Sequence, residues 1–170
     1  MKKLKDIFAQ AIKPKPGALA LAACDKNIFR FKWLLARGSD PNDKHRAIPA
    51  LSLAVCNKNI KMVRALLDRG ADPSLADATS WTPLYWAILS DNIDAVRLLL
   101  DAGTNISTVS ASGKTPLDKA KEMGKTEIVE ALESFIGEKQ AKTAAAIISA
   151  AVLKKDLQIG KPLQLKKKNP

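Results

Sequence analysis

Histidine, cysteine and aromatic side chains are scarce in this 170-residue chain. A single histidine, His45, leaves no His-x-x-x-His pair, no histidine cluster for a metal and no Ser–His–Asp system with a histidine to spare. The two cysteines, Cys24 and Cys56, are too few to staple a secreted miniature fold. Long apolar runs are missing too. The longest uncharged stretch of the basic C-terminal third, residues 143–153, has 11 residues, where a spanning helix needs roughly 20. Asp6, Gln10 and Lys13 break the apolar core that a secretory signal starting Met1-Lys2-Lys3-Leu4 would need. No Gly-x-x-x-x-Gly-Lys phosphate loop occurs. These absences predict a soluble, cytoplasmic protein of a reducing compartment. They predict no catalytic residue, no metal and no cofactor. Asp91, Asp94, Asp101 and Asp118 read as solvated surface or caps.

The chain carries a formal net charge of +11, unevenly spread. Residues 18–137 hold 15 basic and 14 acidic side chains, whereas residues 1–17 hold five lysines against one acid and residues 138–170 eight against two. The basicity belongs to the flanks, so the whole-chain charge is no argument for a nucleic-acid binder.

What the middle does contain is a repeat. Leu19-Ala20-Leu21-Ala22 aligns with Leu51-Ser52-Leu53-Ala54, Leu84-Tyr85-Trp86-Ala87 and Leu117-Asp118-Lys119-Ala120, at spacings of 32, 33 and 33 residues. The second halves align as well, from Phe31 to Gly38, Val63 to Gly70 and Val96 to Gly103. Leu84, Ala87 and Ile88 form one helical stripe, and Ile93, Val96, Leu99 and Leu100 another. Gly38, Gly70 and Gly103 suit a left-handed helix end. Pro83 and Pro116 suit a first helical turn, with Thr82 and Thr115 as N-caps. Each unit is therefore two short helices and a turn, and neither helix can bury its stripe without a stacked neighbour. Cys24 and Cys56, equivalent in adjacent units, sit on helices about 8–10 Å apart and are expected as free thiols.

With Thr82-Pro83-Leu84-Tyr85-Trp86-Ala87, Thr115-Pro116-Leu117-Asp118-Lys119-Ala120, Gly38-Ser39-Asp40-Pro41-Asn42 and Gly70-Ala71-Asp72-Pro73-Ser74 in phase, the chain resembles the ankyrin-repeat family over residues 18 to about 136. The resemblance implies an all-α solenoid of four helix–turn–helix units, at about 18–48, 49–81, 82–114 and 115–137, with flanking terminal helices. Departures lie at the first-helix ends. Lys26, Lys58 and Asp91 stand where the family has Gly, and only Gly124 matches; Asn27, Asn59 and Asn92 stand where it has His. Both bear on local turn geometry, as does the 32-residue spacing that shortens the first inter-unit turn.

The resemblance further implies a non-enzymatic, monomeric protein-interaction module that uses turn tips and the exposed face of each first helix. On this chain that surface would include Arg46, Ile48, Ser52 and Asn57, then Thr79, Trp81, Tyr85 and Leu89, then Lys114 and Met123. Trp81 and Tyr85 are the leading candidates, because aromatics dominate binding hot spots. Packing of either ring within the repeats is the competing reading. Trp86 is expected between units and Trp33 near the outer surface. Small ankyrin proteins of intracellular bacteria are similar in plan, so an adaptor or an effector on a host protein is an alternative.

The flanks leave choices open. Leu4, Ile7, Phe8, Ala11 and Ile12 form a stripe that could cap the first unit, lie on an anionic membrane or dock in a partner groove. Ala144, Ile147, Ile148, Ala151 and Val152 share a face of an Ala-rich helix expected over 138–157, as a cap on the fourth unit or a partner-binding helix. Residues 158–170 form a Lys-rich tail, either solvated or weakly attracted to anionic lipid or nucleic acid, with no specific nucleic acid expected.

Overall fold

A computed structural model describes the backbone of residues 14–159 and the side chains of residues 14–150. The stripe at residues 4–12 and the end of the Lys-rich tail lie outside the described residues. The chain divides into two compact units at Leu132 and Glu133.

The first unit is built from helix pairs. They are α1 (Ala18–Cys24) with α2 (Ile28–Ala36), α3 (Ala50–Cys56) with α4 (Ile60–Leu67), and α5 (Pro83–Leu89) with α6 (Ile93–Asp101). Next come α7 (Pro116–Glu122) and the start of α8 (Thr126–Ile159). The first helices stack in chain order, α1 on α3 on α5 on α7. A small residue recurs at the equivalent place in each first helix: Ala22, Ala54, Ala87 and Ala120 are all fully buried. Leu34, Leu66, Leu99 and Leu132 are the matching buried leucines of the second helices. The fold is thus the all-α repeat solenoid that the 33-residue period implies.

Helix ends follow local chemistry. Asn27, Asn59 and Asn92 are the N-caps of α2, α4 and α6, each side chain accepting from the backbone N–H three residues on. Lys26, Lys58, Asp91 and Gly124 all take the left-handed conformation, with φ of 55°, 53°, 53° and 65°. The turn geometry is therefore the same in all four units, whether or not glycine occupies it. Thr115 closes a reciprocal capping box with Asp118. Thr82 occupies the N-cap of α5 but makes no capping bond, and its Oγ1 is buried without a partner. The difference lies three residues on, where Thr82 has Tyr85 in place of a carboxylate.

The shortened inter-unit turn is a two-residue hairpin. Strand β1 (Lys44–His45) pairs antiparallel with β2 (Ile48–Pro49), and Arg46 and Ala47 between them are both left-handed, φ 51° and 65°. The next two tips, one residue longer, need one such residue each, Ser80 and Gly113. Asp43, at the foot of the hairpin, accepts hydrogen bonds from Gly17 N, Leu19 N and Ala20 N at 2.6–3.4 Å, capping α1 from a different turn.

One expected boundary is absent. Helix α8 runs 34 residues without a break at Gly137, which the repeat pattern places at the end of the fourth unit. Gly137 has no positive φ, and the Ala-rich segment beyond it continues the helix. The separate helix expected from residue 138 is therefore the distal part of α8. No described helix is long and apolar enough to cross a membrane.

Candidate functional site

The tip of the third unit is organised by Asp77. Its Oδ1 accepts from Thr79 N at 2.8 Å, Thr79 Oγ1 at 2.6 Å and Trp81 N at 3.1 Å. Its Oδ2 accepts from Trp86 Nε1 at 3.0 Å. Burial pushes the Asp77 carboxyl up, but these hydrogen bonds from Thr79, Trp81 and Trp86 together outweigh it and hold the group below the usual carboxylate range. One carboxylate thus fixes the tip turn, orients the Trp81 backbone and anchors the Trp86 indole.

The two indoles meet edge to face, with ring centroids 5.5 Å apart and planes at 73°. They form the apolar floor of an open groove of about 320 Å³. Ala78 and Thr79 of the same tip line it, and Arg46 and Ile48 of the preceding hairpin complete it. The groove therefore joins two neighbouring tips. Four of the residues expected on the binding surface, Arg46, Ile48, Thr79 and Trp81, come together here.

The others do not. Tyr85 is 2% exposed and belongs to the core. Its hydroxyl donates to Lys114 O and accepts from Ser110 N at 3.2 Å, tying α5 to the following tip. Burial, joined by the nearby Asp118 carboxylate, holds the phenol above its ordinary range although Ser110 hydrogen-bonds to it. An aromatic with a polar end suits that position, and surface duty is excluded by its burial. Ser52 is fully buried, and Asn57 donates to Ala23 O and Cys24 O of the preceding unit at 3.0 and 3.2 Å. Lys114 pairs with Glu122 at 2.9 Å, while Leu89 and Met123 are half-buried outside the groove.

Trp86 and Asp77 were not on the expected surface. Trp86 is half-buried at the groove, where the repeat pattern alone places it between units. Asp77 carries a local signal that could have found it. Asp40, Asp72, Asp77 and Asn105 each accept from the N–H two residues on, at 2.8–2.9 Å, the Asx-turn pattern. Its bond to Trp86, nine residues away, has no such signal. Elsewhere, Trp33 is 52% exposed under the Arg37 guanidinium, 4.6 Å from its ring, and Cys24 and Cys56 are exposed free thiols.

Among the described residues, no group of three or more His, Cys, Asp and Glu side chains is placed to hold a metal ion. The family profile described as ankyrin repeats (3 copies) matches the chain over residues 19–110 and again over residues 51–143. No curated protein sequence matches it.

Proposed function

Since this chain belongs to the ankyrin-repeat family, we propose that it is a protein-recognition module whose contact site centres on the groove between Trp81 and Trp86. Ankyrin repeats generally serve protein–protein interaction, and the family is typically non-enzymatic. The observation that carries the reading is the groove itself. Two of the chain's three tryptophans lie at an open surface between adjacent tips, held there by Asp77. Half-buried tryptophans in a preformed recess suit a hot spot, since little side-chain entropy is left to lose on binding. The free thiols Cys24 and Cys56 favour a reducing compartment such as the cytoplasm.

The test is quantitative capture with the full chain and its Trp81→Ala twin, read by mass spectrometry and confirmed with each purified candidate. A genuine partner should bind the twin at least tenfold more weakly, about 1.4 kcal/mol, while circular dichroism stays unchanged. Partners that bind both proteins equally would move the contact site away from the groove. Partners lost on removal of the Lys-rich tail, with salt-sensitive affinity, would instead assign binding to the flanks.

A further inference from the structure

We infer that the groove is built for an acidic partner segment: one large apolar side chain against Trp81 and Trp86, and a neighbouring carboxylate on Arg46. This rests on the groove being the recognition site and adds the chemistry of what it takes.

The hydrogen-bond donors left over at the rim carry the inference. Asp77 is the acid lining the groove, and both its oxygens already accept from its own turn and helix. Thr79 has spent its hydroxyl proton on that same carboxylate. Arg46 is exposed and, among the described residues, makes no ion pair or hydrogen bond. Its five N–H donors are unspent. A guanidinium is suited to a carboxylate, which it can grip with two parallel bonds, and it is also at home beside an aromatic surface.

Position adds to this. Arg46 sits in a left-handed residue at the tip of a two-residue hairpin, φ 51°, beside a second left-handed residue, Ala47. Neither is the glycine or asparagine that such a turn favours. The turn is nevertheless closed by backbone pairing of His45 with Ile48, which fixes where Arg46 leaves the chain. At about 320 Å³ the recess is at the small end of ligand pockets, which run from about 300 to 1,000 Å³. That suits a single side chain better than a whole helix. An acid two residues from a Leu, Phe or Met in an extended segment presents both groups on one side.

The experiment is selection of a phage-displayed random 12-residue peptide library on the immobilised full chain, with counter-screening of every enriched peptide. Synthetic copies are then titrated against wild type, Arg46→Glu, Arg46→Gln and Trp81→Ala, each checked for native helicity. The expected peptides carry an apolar residue with Asp or Glu two positions away. They should bind Arg46→Glu at least tenfold more weakly and Arg46→Gln to an intermediate degree. Their affinity should fall as salt rises. Replacing their acid with Lys should abolish binding to wild type and restore it on Arg46→Glu. Peptides lost on Trp81→Ala but indifferent to the Arg46 variants would overturn the acidic-partner inference and leave the groove as the site. Peptides indifferent to Trp81→Ala would overturn both. No enrichment over the Trp81→Ala protein would likewise overturn the inference.

Discussion

Single side chains in this protein do more than the repeat pattern asks of them, and Asn92 is the clearest case. It caps α6 through Ala95 N at 3.1 Å and, from the same amide, donates to Val55 O of the preceding unit at 3.1 Å. Asn27 caps α2 through Arg30 N at an exposed position. Asn27→Ala should therefore cost about 1 kcal/mol, and Asn92→Ala about 2 kcal/mol because it also removes a buried hydrogen bond to Val55 O, which keeps Lys58 N as a donor at 2.9 Å. Urea melts of the two variants check the difference. Asp77 makes a pH prediction. Its folded-state pKa lies below the ordinary value of 3.8, so ionised Asp77 stabilises the fold above that value. The contribution disappears as acid carries the pH down through the folded-state pKa. Asp77→Asn should remove that part of the acid sensitivity, visible as a flatter melting-temperature profile below about pH 4, and should release the Trp86 indole proton in NMR spectra. Trp81→Ala belongs with these. Its ring is half-buried and meets Trp86 edge to face, so its loss should lower stability by about 2–3 kcal/mol. A larger loss would make Trp81 a structural residue.

At the scale of elements, the turn after each first helix shows geometry prevailing over residue preference. Lys26, Lys58 and Asp91 accept a left-handed backbone that glycine adopts freely. The N–H of the next residue, Asn27, Asn59 or Asn92, bonds back to Ala22 O, Ala54 O or Ala87 O. Those bonds and the following asparagine cap leave the intervening residue little choice. Lys26, exposed and making no side-chain bond among the described residues, is the cleanest place to measure the strain. Lys26→Gly should raise stability by about 0.5–1 kcal/mol, the relief of strain being offset in part by the freer unfolded chain. Helix α8 shows the opposite preference. Gly137 sits mid-helix with open space where a Cβ would go. Gly137→Ala should strengthen that stretch by about 1 kcal/mol, read as slower amide exchange on either side of residue 137. A turn at Gly137 in solution would give no such gain.

On the scale of the whole molecule, the period of 33 residues is legible in the sequence, and with it the solenoid, the helix-ending glycines and the apolar helix stripes. These follow from local rules. A stripe at helical spacing, a Pro in the first turn and a Gly past the last each act within a few residues of themselves. The recognition surface was legible in part. Arg46, Ile48, Thr79 and Trp81 lie on tips, and tips are recognisable from turn chemistry. Which tip residues converge was not, because Arg46 and Trp81 are brought together by stacking of units. Tyr85 and Trp86 are assigned the wrong way round from sequence, Tyr85 to the contact surface and Trp86 to the packing between units. Both are aromatics in the same short helix, and only packing sends Tyr85 into the core to reach Lys114 O while Trp86 turns to the groove and Asp77. The repeat alone determined that units of this kind must stack, since neither helix of a unit can hide its apolar stripe unaided. Tertiary structure decided which few side chains the stacking leaves at the surface together, and which of their charges remain unspent.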